Sequence, residues 1–243
     1  LVHTAYWTGD HGTAVTWAAR ELNRARAAKD PHRTAYMLAD LAAHSALTDP
    51  TEAHHRLVEN RIAVDLANAA GVPNQLSFAL HALGATLRLV DEEEAETVLN
   101  RSMALAEAVD CRFVLTAAAQ HLAAIHASRS EWRAAVDILQ PTLKRFSYGA
   151  DPAHVGMVAR VLTAPLSALV GEPDRKRLVR VAGYGERTPG PRFLDVDARN
   201  TNLIATWRNA LGSGPVSQLL EEGATTSSAA IVDELTSLSE GAS

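Results

Sequence analysis

The segment Asp91–Ala106, DEEEAETVLNRSMALA, carries the pattern that decides the fold of this chain. Its apolar residues recur at the three- and four-residue spacing of one face of an α-helix, namely Ala95, Val98, Leu99, Met103 and Ala106. The same spacing returns about 40 positions later and also near the start of the chain, at Ala135, Ile138, Leu139, Leu143 and Phe146 and at Ala14, Trp17, Ala18, Leu22 and Ala25. A weaker copy begins at Ala53 and Leu57. Recurrence of one stripe at a fixed period indicates a helical repeat.

A second apolar helix precedes each stripe. The clearest examples are 75–90, QLSFALHALGATLRLV, and 112–127, RFVLTAAAQHLAAIHA, in which Gly84 and Ala123 are small enough to let two helices approach closely. Breakers separate the units at KDPH (29–32), TDPT (48–51) and AGVPN (70–74). The sequence therefore predicts an all-α fold of stacked antiparallel helical hairpins, each of about 40 residues.

The period becomes less regular in the C-terminal part. Residues 152–174 predict another apolar helix, residues 183–193 a turn-rich connection, and further helices are expected near 195–211, 214–222 and 227–239. Pro141 is expected to bend the preceding stripe or end it early. We therefore expect hairpins over residues 1–150, and a further hairpin with a C-terminal helical cap over residues 151–243.

The composition of the chain argues against several classes of function. The chain is 47% hydrophobic with a net charge of −5, so it can bury a core and shows no basic stripe of the kind that nucleic-acid binding requires. A single cysteine forms no intramolecular disulfide, which is typical of the cytoplasm. No membrane span or signal peptide is apparent. We expect a cytoplasmic protein without nucleic-acid or membrane contacts.

No catalytic or metal motif stands out. His121 and His126 are poorly spaced to share an ion on one helix, and the chain has no H-E-x-x-H sequence. Gly183-Tyr184-Gly185 is interpreted as a turn, and Asp195 and Asp197 as helix caps. We expect no enzyme activity, no metal and no cofactor.

Two groups of residues resemble a known family. Leu1-Val2-x-x-Ala5, Gly9-Asp10 and Ala14 resemble the tetratricopeptide pattern L-G-x-x-Y…G-D…A. The longer period, together with Ala210-Leu211-Gly212, Gly223 and Ser228-Ala229-Ala230-Ile231, is similar to the sensor arrays of large ATP-binding regulators of the LuxR class and their cyclase-like actinobacterial relatives.

This resemblance implies a right-handed superhelix and a non-catalytic sensor domain of a transcriptional regulator. A small-molecule effector or a partner protein would bind in the concave groove. The alternative is a free-standing adaptor for a peptide or protein. The chain has no phosphate-binding G-x-x-x-x-G-K-[ST] sequence, and it starts partway through the repeat pattern. We therefore expect an excised piece that self-associates through an apolar N-terminal end.

The resemblance also places candidate ligand-binding residues on the first helix of each hairpin, because that helix lines the groove in such arrays. The candidates are Tyr6, Trp7, Tyr36, Phe78, His81, Arg88 and Gln120, with His121 as the alternative to Gln120. They combine aromatic faces with a few hydrogen-bonding groups, as small-molecule sites do. The alternative interpretation is that the aromatic residues are core and the polar residues are solvated.

Overall fold

The structure is a computed structural model that describes residues 10–146, 151–190 and 192–242. Over these ranges the regular structure is helical and contains no strand, which confirms the all-α prediction. Tyr6, Trp7 and the apolar N-terminal end lie outside the described residues. The helices of the first half are α1 (His11–Ala27), α2 (Pro31–Thr48), α3 (Ala53–Ala70), α4 (Pro73–Leu87), α5 (Glu92–Ala108) and α6 (Arg112–Ser128). Those of the second half are α7 (Trp132–Asp137), α8 (Gln140–Phe146), α9 (Pro152–Leu169), α10 (Arg175–Arg187), α11 (Leu194–Leu211), α12 (Ser213–Thr225) and α13 (Ser228–Gly241).

Local sequence signals set several helix starts. The Asp30 side chain accepts a hydrogen bond from the Arg33 backbone N–H at 2.9 Å, and Pro31 follows it at the first position of α2. Asp91 caps α5 in the same way, and the acidic residues that follow lie in the first turn, where the helix dipole favours negative charge. Pro73, in the predicted breaker AGVPN, is the first residue of α4.

The packing divides the chain into two compact units, Leu1–Leu122 and Ala123–Ser243. In the first unit each helix from α1 to α5 packs against its neighbour in the chain, and α2 also packs against α4. The predicted stripes supply buried residues, including Ala14, Ala18, Leu22 and Ala25 from α1 and Ala95, Leu99 and Ala106 from α5. Helix α4 is buried on every face from Ser77 to Leu87, so it forms the centre of this unit.

Gly84 explains how closely α4 and α5 approach. A Cβ atom at this position would lie 2.5 Å from Cγ of Leu99, which is well inside van der Waals contact. The sequence prediction that Gly84 permits a close helix contact is therefore confirmed. This contact brings the buried stripe of α5 against the central helix.

The second unit is organised around α9, which packs against α7, α10, α11 and α13. The three predicted C-terminal helices are present. The stripe that contains Pro141 is divided between α7 and α8, which confirms its early end.

Two predictions for this unit are wrong. Gly183-Tyr184-Gly185 is not a turn, because α10 continues to Arg187 and Gly183 lies against the backbone of Leu220 in α12. Asp195 and Asp197 lie in the first turn of α11 and do not cap it, since the N-cap is Phe193. Glycine here serves close helix packing, and the two carboxylates complement the helix dipole.

Candidate functional site

A cavity opens within the first unit between α2, α4 and α6. Its enclosed space is about 20 Å³, which is about the space of one water molecule, and it opens to solvent at its mouth. Helix α2 contributes four residues, α4 contributes four and α6 contributes two: Asp40, Ala43, His44, Leu47, Phe78, His81, Ala82, Ala85, Phe113 and His121. The small alanines leave this space open beside the aromatic and polar side chains.

Aromatic rings form one wall of this cavity. The Tyr36 ring stacks on the Phe78 ring with 4.3 Å between centroids, and the Phe78 and Phe113 centroids are 6.3 Å apart. Phe78 and Phe113 also line a second, outer pocket of about 260 Å³, to which Tyr36 and Cys111 contribute. The aromatic wall, defined as Tyr36, Phe78 and Phe113, therefore lies between the polar cavity and the outer pocket.

Four buried polar side chains face the other part of the cavity: Asp40, His44, His81 and His121. Asp40 and His44 are one turn apart on α2, and 3.7 Å separates the Asp40 Oδ1 and His44 Nε2 atoms, which is longer than a hydrogen bond. The rings of His81 and His121 lie 5.4 Å apart between centroids. Carboxyl and imidazole groups from three helices thus converge on one small space.

Some of these polar atoms have no partner. Within the part of the chain that the structure describes, Asp40 Oδ2 and both ring nitrogens of His81 are buried and make no hydrogen bond. Burial of an unpaired polar group costs about 1–3 kcal/mol, and native proteins satisfy nearly all such groups. Groups of this kind at a cavity wall are suited to hydrogen bonding with an occupant.

Burial also changes the ionisation of the site. It raises the pKa of Asp40 to about 7 and lowers the pKa of His81 to about 4. The pKa of His121 is lowered well below its ordinary value, first by burial, then by the positive charge of Arg88 and by repulsion from the protonated form of His81. The imidazoles of His81 and His121 are therefore neutral near pH 7, whereas the Asp40 carboxyl titrates near this pH.

The structure brings together three of the predicted site residues, namely Tyr36, Phe78 and His81. Of the two alternatives for α6, His121 lines the cavity and Gln120 does not. Arg88 follows the end of α4, lies outside the cavity lining and acts on it through its charge at His121.

Sequence reasoning missed Asp40, His44 and Phe113. Tyr36, Asp40 and His44 recur every four residues, so they share one face of α2 with a residue already selected. That spacing could have identified Asp40 and His44. Phe113 had no such signal, because its position in the site depends on the approach of α6.

Two further findings concern metal ligands and membrane-spanning helices. Over residues 10–146, 151–190 and 192–242, no group of three or more His, Cys, Asp or Glu side chains is placed to hold a metal ion, and no helix has the length and apolar character that a bilayer crossing needs. No family model, curated protein sequence or solved structure matches this chain. The functional assignment therefore depends on the geometry of the cavity.

Proposed function

We propose that this chain is a non-catalytic recognition domain that binds a small-molecule effector in the cavity between α2, α4 and α6. One observation carries the proposal: unpaired buried atoms of Asp40 and His81 face a cavity that also has aromatic rings in its lining. Ligand sites combine an apolar lining with a few convergent polar groups in this way. The residues supply hydrogen bonds and ring faces, so the expected chemistry is recognition.

We further propose a tetratricopeptide-like, right-handed superhelix with a C-terminal helical cap. The alternate helices α1, α3 and α5 begin at His11, Ala53 and Glu92, a spacing of about 40 residues. In addition, α2 packs against α4 across the intervening helix. First helices of successive hairpins pack in this manner along the inner face of a repeat array.

Such a domain would act as the cytoplasmic sensor of a transcriptional regulator of the LuxR class or its cyclase-like relatives. A ligand held by three helices from successive hairpins would favour one spacing of those helices over another, and so would shift the population of array curvatures. The adaptor function, with a peptide or protein partner, is the alternative. It predicts that purified partner protein, and no metabolite, binds the chain.

The proposal is tested by thermal-shift measurements with a panel of metabolites on three proteins. These are the wild type, His81→Phe, which keeps a ring but removes both nitrogens, and His55→Phe as the matched control on an exposed histidine of α3. We expect a ligand to raise the melting temperature of the wild type and the control, and to have a much smaller effect on His81→Phe. A ligand that stabilises all three proteins equally would place the binding site elsewhere.

A further inference from the structure

The geometry of the cavity points to the class of its ligand: a small organic cation, whose ammonium group enters the cavity while its aromatic or otherwise apolar body lies at the open mouth. The inference rests on the proposed function, since it names what the proposed site binds. Three features carry it, and they concern the hydrogen-bond acceptors, the charge of the lining and the aromatic wall.

The first feature is a surplus of acceptors. Asp40 Oδ2 accepts hydrogen bonds when the carboxyl is ionised, and the neutral imidazole of His81 offers one accepting nitrogen. An ammonium group brings three N–H donors and no acceptor. It can therefore donate to Asp40 Oδ2 and to the accepting nitrogen of His81, and an N–H donor to an ionised carboxylate makes the stronger kind of hydrogen bond.

The second feature is the sign of the charge. Asp40 is the acidic residue of the lining, and none of the described residues that line the cavity is Lys or Arg. Arg88 lies outside the lining, and its positive charge acts on His121. A carboxylate or phosphate ligand would place its negative charge near Asp40 without a lining cation, which is unfavourable in a buried site.

The third feature is the aromatic wall. Phe78 and Phe113 line the cavity directly, and Tyr36 stacks behind Phe78. Aromatic faces attract cations through their quadrupole and also pack against apolar bodies. The same wall therefore suits both parts of an amphipathic amine.

Binding of such a ligand replaces the proton of the Asp40 carboxyl with the ammonium group of the ligand. Below about pH 7 the carboxyl holds a proton. When the ammonium group arrives, this proton leaves to solvent and the carboxylate pairs with the ligand. Among the described residues, the titratable groups that line the cavity with Asp40 are His44 on α2, His81 on α4 and His121 on α6, and the charge of Asp40 also acts on Tyr36. No described residue of α1 or α3 lines the cavity.

The test uses three probes with the same aromatic body: 2-phenylethylamine, 2-phenylethanol and 3-phenylpropionate. Isothermal titration calorimetry of the whole chain at pH 8 compares the wild type with Asp40→Asn, and with Asp65→Asn as a matched control on the exposed face of α3. We expect the amine to bind the wild type and the control at least about tenfold more tightly than the alcohol, and Asp40→Asn to remove this preference.

A second measurement keeps the inference testable if Asp40→Asn does not fold. Titrations of the wild type at pH 6 in two buffers of different ionisation enthalpy should show release of about one proton per amine bound, because the amine keeps its own proton at this pH. At pH 8 the release should vanish. Amine binding without proton release at pH 6 would overturn the role of Asp40.

The outcomes separate this inference from the proposed function. Equal or tighter binding of the alcohol or the acid, lost in His81→Phe, overturns the cation assignment and supports the small-molecule site. No binding of the amine also overturns the cation assignment, and the metabolite panel then tests the site independently. A preference for the amine that persists in Asp40→Asn contradicts the role of the carboxylate.

Discussion

The ring of Tyr36 stacks on the ring of Phe78, with 4.3 Å between centroids and 16° between planes. The two residues lie on α2 and α4, which are not consecutive in the chain. Their contact therefore joins two helices across an intervening one and forms part of the wall between the polar cavity and the outer pocket. Both residues were predicted from the sequence to share one site.

This stack should be measurable as a coupling. In a double-mutant cycle with Tyr36→Leu and Phe78→Leu, we expect a coupling free energy of about 0.5–1.5 kcal/mol beyond the separate effects, because stacked rings gain this much over their area burial. Urea unfolding of the four proteins gives the value. Strict additivity would show that the rings are independent core residues.

Asp40 should make the protein less stable as the pH rises. The pKa of Asp40 is about 7 in the folded chain against an ordinary 3.8, so the folded state holds a proton that the unfolded state releases between these values. Stability therefore falls as pH rises through the window. Relative to Asp40→Asn, the wild type should lose about 2–4 kcal/mol between pH 4 and pH 8 in chemical unfolding. A difference that does not change with pH would contradict burial of the carboxyl.

The titration of His81 should make the protein more stable as the pH rises. Burial lowers its pKa from 6.5 to about 4, so between these values the unfolded state binds a proton that the folded state excludes. Stability therefore rises with pH through this window. The free energy of unfolding of the wild type relative to His81→Phe should increase by about 2–3 kcal/mol from pH 4 to pH 7. His121 is present in both proteins, and the part of its titration that does not depend on His81 cancels in the comparison.

Gly84→Ala should strain the contact between α4 and α5. The added Cβ would lie 2.5 Å from Cγ of Leu99, and overpacking of this kind costs about 1–3 kcal/mol. Gly214→Ala is the matched control, since a Cβ there meets no atom within 4 Å. Thermal unfolding should show a loss for Gly84→Ala and none for Gly214→Ala. Equal melting temperatures would mean that the two helices lie further apart.

The repeated stripes should be core positions in both units. Leu99 and Leu139 have exposed fractions of 0%, so Leu99→Ala and Leu139→Ala should each cost about 2–5 kcal/mol. Leu194→Ala is the control, because 66% of Leu194 is exposed. Denaturant unfolding measures all three. Wild-type stability of either core variant would show that its stripe position does not contribute to the core.

The sequence by itself determined the local features of this protein. Helix starts at Asp30-Pro31, at Pro73 and at Asp91 follow from capping chemistry, which involves only residues a few positions apart. The buried faces of α1 and α5 follow from apolar spacing along a single helix. Features of this kind are predictable because the interacting groups are neighbours in the chain.

Only the tertiary structure decided which polar groups meet. Phe113 and His121 join the site because α6 approaches α2 and α4, and the unusual ionisation of Asp40 arises from its removal from water. The same reason explains the wrong interpretation of Gly183-Tyr184-Gly185, where glycine accommodates the backbone of Leu220 from another helix. Burial and close approach depend on residues distant in the chain, so local spacing does not contain them.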